Sequence, residues 1–199
     1  MTADPIPTDP RPSLGWPVPP PEGYFAEDLD RLPDLPSHTE LIDGSLVFVS
    51  PQMKFHRRVV DFLRLQLRHQ APEQFEVDRE MTITLGPRQR PEPDVLVADA
   101  AADTGLDQTT YEPANVLLVI EVVSPDSIER DRKRKPQLYA EAGIPHFWRV
   151  ENVDGRAVVY VYELDPATAT YGLTGIHHDK LQVTVPFDIG LDLTLATEP

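Results

Sequence analysis

The sequence contains no cysteine among its 199 residues. This absence excludes disulfide bonds, thiolate zinc sites and cysteine nucleophiles, and it is typical of a protein in a reducing cytoplasm. No apolar stretch approaches the roughly 20 residues that a membrane-spanning helix needs, so we expect no membrane partner. Residues 1–10 contain acids and prolines without a basic, apolar signal, which argues against secretion. These observations together predict a cytoplasmic protein.

Positive charge is also scarce, since 18 Lys and Arg stand against 33 Asp and Glu, giving a net charge of −15. Taken alone, this charge argues against a protein that coats nucleic acid. The basic residues are, however, concentrated in residues 54–68 and 130–135, and both segments have a helical pattern. They are either solvated helix faces or surfaces that face phosphate groups, and the sequence leaves both interpretations open.

The N-terminal segment differs in composition from the rest of the chain. Residues 1–21 hold eight prolines, a composition that cannot build a packed element and predicts a disordered tail. Residues 22–199 have the length and the apolar content of one domain with a sizeable core. We therefore predict a tail at 1–21 and a single domain at 22–199.

Local patterns predict a hairpin, two long helices and several strands. Asp43-Gly44 lies between two apolar runs, which predicts a hairpin over residues 40–49. Residues 54–69 and 127–142 have helical patterns, although Pro136 requires either a later start near Arg132 or a kink. We also predict a short helix at 25–32, a loop at 98–115, and strands at 75–77, 81–85, 94–97, 116–123, 146–150, 157–164, 171–173, 181–185 and 191–195.

The order of these elements predicts the fold class. Helices occur in two places rather than after every strand, which favours a mixed sheet over a doubly wound one. We therefore expect an α/β (α+β) fold with a mixed β-sheet core flanked by helices. The N-terminal hairpin and the C-terminal strands are expected as additions to that core.

Two acids stand beside or inside predicted strands. Asp94 follows Pro93 at the entrance of a strand and is either a strand-edge cap or a metal ligand. Glu121 is the one polar member of the apolar run 117–123, where an ionised carboxylate is costly without a partner. An ion pair with an arginine or a magnesium ion would each neutralise it. Two carboxylates on neighbouring strands can share one Mg²⁺, which prefers few carboxylates plus water.

Each of the further candidate site residues has both a structural and a functional interpretation. Lys135 is four residues from both Asp131 and Tyr139, so the three share a helix face. Lys135 and Asp131 either form a surface ion pair or Lys135 reaches the metal site to orient water or neutralise phosphate charge. Glu40 is either an ordinary strand-edge acid or a third carboxylate. His56 is either a surface histidine or a phosphate contact.

At these residues the chain resembles a known family. Thr39-Glu40-Leu41-Ile42-Asp43-Gly44, Pro93-Asp94-Val95 and Val119-Ile120-Glu121-Val122-Val123-Ser124-Pro125 look like the signature of the Uma2 family (DUF820). Asp131, Lys135, Tyr139, residues 143–145, Phe147-Trp148 and the segments 186–187 and 191–193 continue the pattern. The resemblance spans roughly residues 25–195, and the combination of motifs is specific although no single motif is.

The resemblance implies a PD-(D/E)XK nuclease, that is, a restriction-endonuclease-like fold with a four-stranded mixed core sheet between helices. It implies Asp94 and Glu121 as metal ligands and Glu40 as an added carboxylate. Val123 stands where the wider superfamily has its lysine, so the resemblance implies that Lys135, on the following helix, takes that place.

We therefore expect an endonuclease that uses Mg²⁺ or Mn²⁺ to hydrolyse phosphodiester bonds in DNA, with RNA as the alternative substrate. Its catalytic residues would be Glu40, Asp94, Glu121 and Lys135, of which Asp94 and Glu121 bind the metal. Expected substrate contacts are His56, Ser124, Asp131 and Tyr139. A homodimer is expected, because cutting two strands needs two sites. A catalytically silent binding or regulatory module on the same scaffold is the alternative function.

Overall fold

The structure is a computed structural model that describes residues 18–198. The tail predicted for residues 1–21 therefore lies, except for its last four residues, outside the described part of the chain. The boundary of the predicted domain at residue 22 stays a prediction.

The chain opens with a short 3₁₀ helix at Ala26–Asp30, which replaces the longer helix expected over 25–32. Strands β1 (Thr39–Ile42) and β2 (Ser45–Phe48) then form the predicted hairpin. Asp43 and Gly44 both have positive φ values, of 53° and 74°, as a tight two-residue hairpin turn requires. A side chain at position 44 would also displace the Arg88 guanidinium, which is the end of a flexible side chain, so the positive φ is the main reason for glycine there.

The remaining elements follow in chain order, and the predicted first helix is confirmed as α1 (Lys54–Gln70). The next strands are β3 (Phe75–Arg79), β4 (Thr82–Ile83), β5 (Val95–Asp99), β6 (Thr110–Tyr111) and β7 (Val116–Val122). Helix α2 (Lys135–Glu141) precedes β8 (His146–Val153), β9 (Arg156–Asp165), β10 (Thr170–His177), β11 (Lys180–Val183) and β12 (Ile189–Asp192).

Six strands form the main sheet in the spatial order β10-β9-β8-β7-β5-β3. Strands β7 and β8 are parallel, whereas all other neighbouring pairs in this sheet are antiparallel. The β1–β2 hairpin, the β11–β12 pair and the β4–β6 pair are separate two-stranded sheets. A mixed sheet with two helices confirms the α+β fold class, although six strands replace the four that the family resemblance implied.

Apolar side chains cover both faces of this sheet. Helix α1 buries Val59, Leu63 and Leu67 against one face, where they meet alternate residues of β5, β7 and β8. Tyr139 and Phe147 belong to the cluster on the opposite face. Strand β7 is therefore covered on both sides, which explains its nearly continuous apolar sequence.

The second helical segment is confirmed, with one change in its backbone. The helix runs from residue 128 to Glu141 against the predicted 127–142, but Arg130–Arg134 form a π-helical turn that leads directly into α2. Pro136 has no N–H to donate to a carbonyl four residues back, and its ring would crowd that carbonyl. The wider π turn, in which the N–H of Lys135 bonds to the carbonyl of Arg130, avoids this conflict without an open kink.

Two smaller expectations are also wrong. The segment 98–115 is more than a loop, because it contains β6 and two 3₁₀ turns. The last strand ends at Asp192, and Leu193–Thr197 form a 3₁₀ helix whose start is capped by the Asp192 carboxylate. Within residues 18–198, no helix is long and apolar enough to cross a membrane.

We predict that Leu63→Ala lowers the free energy of unfolding by about 2–5 kcal/mol, because it leaves a cavity between α1 and the sheet. Leu63 is 1% exposed, whereas Leu65 on the same helix is 61% exposed. Leu65→Ala is therefore the matched control and should change stability by less than about 0.5 kcal/mol. Urea denaturation measures both variants, and equal losses would contradict this packing of α1.

Candidate active site

A cavity of about 420 Å³ opens between the hairpin, the start of α1 and the ends of β5 and β7. It brings together most of the candidate residues from the sequence. The candidates that line it are Glu40, His56, Asp94, Glu121, Ser124, Asp131 and Lys135.

The Lys135 ammonium lies at the centre of three carboxylates from three different elements. Its Nζ atom is 2.7 Å from Oε1 of Glu40, 3.0 Å from Oε1 of Glu121 and 3.7 Å from Oδ1 of Asp131. All four side chains are almost completely buried. This is the convergence on which the predicted nuclease chemistry depends.

Strand pairing explains why the two predicted metal ligands are neighbours. Val95 pairs with Ile120 in antiparallel register, so Asp94 and Glu121 are the next opposed residues of β5 and β7. The Asp94 carboxylate accepts a hydrogen bond from the Val122 N–H at 2.6 Å, which fixes it against the end of β7. Its other oxygen is 3.0 Å from Nε2 of His56, in the first turn of α1.

Other contacts hold the acids in place. Tyr139 is fully buried and donates its hydroxyl to Oε1 of Glu121 at 2.6 Å. The Glu92 N–H donates to Glu40 at 2.9 Å. Tyr139 thus lies beneath the cavity rather than in its wall, so its place favours the positioning of Glu121 over the predicted contact with substrate.

Asp131 has one oxygen that is satisfied and one that is not. The Ser127 hydroxyl donates to Oδ2, and Ser127 in turn contacts Ser124 at 3.0 Å. The Oδ1 atom is buried and has no hydrogen-bond partner among the described residues. A buried carboxylate oxygen without a donor is costly, so it is available to a cation or a water molecule.

The site contains more carboxylates than cations and is buried, and both properties change the pKa values of its residues. Burial works against the charged form of Lys135, but the carboxylates of Glu121, Glu40 and Asp131 raise its pKa well above the ordinary value. Burial raises the pKa of Glu121 well above its ordinary value; the charge of Lys135 opposes this, and the carboxylates of Asp131, Asp94 and Glu40 add to it. Burial likewise raises the pKa of Asp131 to about 6.

The pKa of His56 is raised by its contact with Asp94. Burial acts to lower its pKa, but the hydrogen bond to Asp94 and the charge of that carboxylate outweigh burial and raise it.

For several of these residues, the alternative of an ordinary surface or strand-edge position is wrong. Lys135 and Asp131 are not a surface ion pair, because both are buried. His56 is not a surface histidine, and Glu40 is not an ordinary strand-edge acid. The ion-pair partner of Glu121 among the described residues is Lys135 rather than an arginine. The catalytic roles themselves stay predictions.

The structure adds residues that the sequence did not single out. Arg57 and Arg130 line the cavity, and the Nε atom of Arg130 is buried without an acceptor among the described residues. Ser127 supports Asp131. Ser127 lies four residues before Asp131 on a helical pattern, which is the one signal that could have indicated its contact.

The donor set suits a hard cation, because it consists of carboxylate oxygens in a negatively charged cavity. Within residues 18–198, no group of three or more His, Asp or Glu side chains is arranged as a preformed metal cage. Mg²⁺ does not need such a cage, since it commonly binds through one or two carboxylates and keeps several waters. Asp94 and Glu121 fit that mode, and the Oδ1 atom of Asp131, which accepts no hydrogen bond among the described residues, is a further acceptor for the water of a hydrated ion.

A mixed sheet with acids at the ends of two adjacent strands and a lysine on the following helix defines a nuclease-like fold. The chain belongs to the Uma2 family, described as "Putative restriction endonuclease", whose model matches residues 26–196. Family and fold together support a nuclease, with nucleic acid as the substrate class.

Solved structures agree on the fold. A crystal structure of a putative nuclease belonging to DUF820 from Anabaena variabilis matches with a TM-score of 0.65 and 17% identity. That match covers 86% of this chain and 96% of the other. P. aeruginosa NucC in its cAAA-bound form matches with a TM-score of 0.33 and 11% identity, over 63% of this chain and 85% of the other, too weakly to define a shared fold. Comparison with curated proteins gives no match.

We predict that Asp131→Asn becomes more stable relative to the native protein as the pH rises from 4 to 7. The Asp131 pKa is about 6 in the folded protein and 3.8 when unfolded, so the native fold loses stability over this range. The asparagine variant escapes that loss, which is worth up to about 3 kcal/mol. Urea unfolding at several pH values measures the difference.

The control for this prediction is Asp188→Asn, an exposed acid away from the cavity. Its stability curve should run parallel to that of the native protein. A difference between Asp131→Asn and the native protein that does not change with pH would show that Asp131 is not desolvated as described.

Proposed function

We propose that this protein is a Mg²⁺-dependent endonuclease that hydrolyses phosphodiester bonds in DNA. The observation that carries the proposal is the buried meeting of Lys135 with carboxylates from the hairpin, β7 and the π turn, beside Asp94. A fold alone hosts many activities, so the proposal depends on this site.

Two buried polar atoms in the cavity have no hydrogen-bond partner within residues 18–198, and they favour a substrate that is an anion and binds together with a cation. Among the described residues, the buried Nε of Arg130 has no acceptor, and the buried Oδ1 of Asp131 accepts no hydrogen bond, with the Lys135 ammonium 3.7 Å away. A phosphate oxygen would complete the first, and a hydrated cation would complete the second. A phosphodiester with its metal ion provides both.

In the proposed mechanism, Asp94 and Glu121 would hold the metal ion, and His56 and Tyr139 fix the two carboxylates. A bound ion would supply Lewis-acid polarisation of the phosphoryl oxygen and would lower the pKa of a bound water.

Lys135 has the properties of a fixed cation rather than of a base. Three carboxylates keep its ammonium protonated, so it can orient a water molecule or stabilise charge that develops on the phosphate. Glu40 holds the ammonium in place at 2.7 Å. Arg57 and Arg130 in the cavity wall are the available contacts for phosphate oxygens.

We predict that Mn²⁺ or Mg²⁺ raises the melting temperature of the native protein, and that Asp94→Asn and Glu121→Gln each abolish this shift. A ligand at 100 times its Kd stabilises a protein by about 2.7 kcal/mol, which corresponds to several degrees in a domain of this size. The same variants should lose cleavage of plasmid DNA. Differential scanning fluorimetry and gel electrophoresis provide the two measurements.

Glu112→Gln is the control, because Glu112 is exposed and does not line the cavity. It should retain both the metal-dependent shift and the cleavage. If the native protein shows neither, the endonuclease proposal fails and the alternative of a catalytically silent binding module takes its place. Parallel assays with an RNA substrate decide between the two nucleic acids.

We also predict a moderate salt dependence for DNA binding. Five of the ten basic side chains of the two helical segments pair with acids, namely Arg68, Arg132, Lys133, Arg134 and Lys135. These segments leave five cations for phosphates, so the slope of log K against log salt should not exceed about 5 in magnitude. Arg57→Gln should reduce the slope by about 0.7 to 0.9.

Fluorescence anisotropy in EDTA over a range of salt concentrations gives this slope without cleavage. The control is Arg64→Gln, on the same helix but outside the cavity lining. A steep slope for the native protein, or an equal effect of both substitutions, would mean that phosphates are bound over a broad surface instead.

A further inference from the structure

A second cavity, of about 300 Å³, adjoins the first and shares His56 and Ser124 with it. We name it the side cavity. We propose that the side cavity binds one unpaired nucleobase of the substrate strand, next to the phosphodiester that is cleaved. The proposal rests on the nuclease function above and specifies the form of the nucleic acid.

The walls of the side cavity are mostly apolar. Phe55, Val123, Pro125, Met53 and Ile128 all contribute to its lining. Met53 is 57% exposed and Ile128 is 36% exposed, although both are large apolar side chains. Single exposed apolar residues are ordinary, but a set that surrounds a cavity beside a polar site is typical of a binding surface.

One edge of the side cavity is polar and planar. Arg132 binds Glu151 through two hydrogen bonds of 2.8 and 2.7 Å, which fix its planar guanidinium in the lining of the side cavity. Asn152 accepts a hydrogen bond from the Gly155 N–H through its carbonyl oxygen, which leaves its amide N–H₂ able to donate. Flat apolar faces with a hydrogen-bonding edge are the chemistry of a nucleobase, which stacks on apolar, aromatic and guanidinium surfaces.

Position distinguishes a nucleobase from other flat ligands. The residues shared by the two cavities, His56 and Ser124, lie at the border where Asp94 and Asp131 are held. A phosphodiester in the first cavity would therefore present its neighbouring base at the entrance of the second.

The same geometry indicates whether the bound base is paired or unpaired. A base in a duplex is stacked and paired, so it enters a side cavity only if it is flipped out, at a cost of a few kcal/mol. The net charge of −15 offers little attraction for a long duplex to offset this cost. The side cavity therefore favours single-stranded, mismatched or frayed nucleic acid.

The test measures binding of dye-labelled 12-nucleotide single strands by fluorescence anisotropy in EDTA, where no cleavage occurs. One strand is intact, and each of the others has one abasic position. The native protein should bind the intact strand more tightly than the corresponding duplex. Abasic substitution at one position should weaken binding about tenfold, whereas the other positions should have little effect.

The double variant Met53→Ala/Ile128→Ala should weaken binding of the intact strand about tenfold. The strand that is abasic at the sensitive position should bind the double variant and the native protein equally well. This strand has no base to contact the side cavity, so the two substitutions remove nothing more. Leu65→Ala is the matched control, since it also removes an exposed apolar side chain but lies outside the lining. Its affinities should equal those of the native protein.

A second arm repeats the comparison with Mg²⁺ and measures cleavage, so that the two proposals can fail separately. Cleavage with equal affinity for all abasic strands overturns the base-binding cavity and leaves the nuclease intact. Tighter binding of the duplex than of the single strand overturns it as well. Absence of both binding and cleavage overturns both proposals. The abasic series uses the native protein, so it decides even if the double variant does not fold.

Discussion

The fold of the site depends on one buried ammonium group. Lys135 contacts Glu40 of the hairpin, Glu121 of the main sheet and Asp131 of the π turn, so it joins three elements that share no backbone ladder. Each acid would be costly in this interior without the lysine, and the lysine would be costly without the acids. The position of the hairpin relative to the sheet is therefore tied to the charge state of the site.

The balance of charge in this cluster is not what stability alone would favour. Burial and mutual repulsion raise the pKa values of Glu121 and Asp131, so one lysine does not fully compensate its acids. Apolar residues of similar volume often stabilise a protein more than such a buried network does. An uncompensated buried carboxylate is better explained by a function, and a cation that arrives with the substrate would supply the missing charge.

The sequence predicts what is encoded locally and misses what depends on distant contacts. Asp43-Gly44 defines the hairpin by its own φ preferences, and the apolar run around Glu121 identifies a covered strand. The π turn could not be predicted, because Pro136 restricts the helix without specifying how the backbone adapts. Nothing in the local pattern of Glu40 distinguishes a surface acid from one buried against a lysine 95 positions later. The family resemblance, rather than periodicity, was what related these residues to one site.

The overall charge limits how this protein can engage nucleic acid. Five of the ten arginines and lysines of the two basic segments already form ion pairs within the protein, as Arg132 does with Glu151. With a net charge of −15 as well, attraction over a wide surface is limited, and discrimination depends on the cavity and its immediate surroundings. A site that relies on one phosphodiester, one cation and one base gains specificity for local structure of the nucleic acid rather than for a long sequence. On these proposals, such a site would act where strands are already separated, because opening a duplex to extrude one base costs a few kcal/mol.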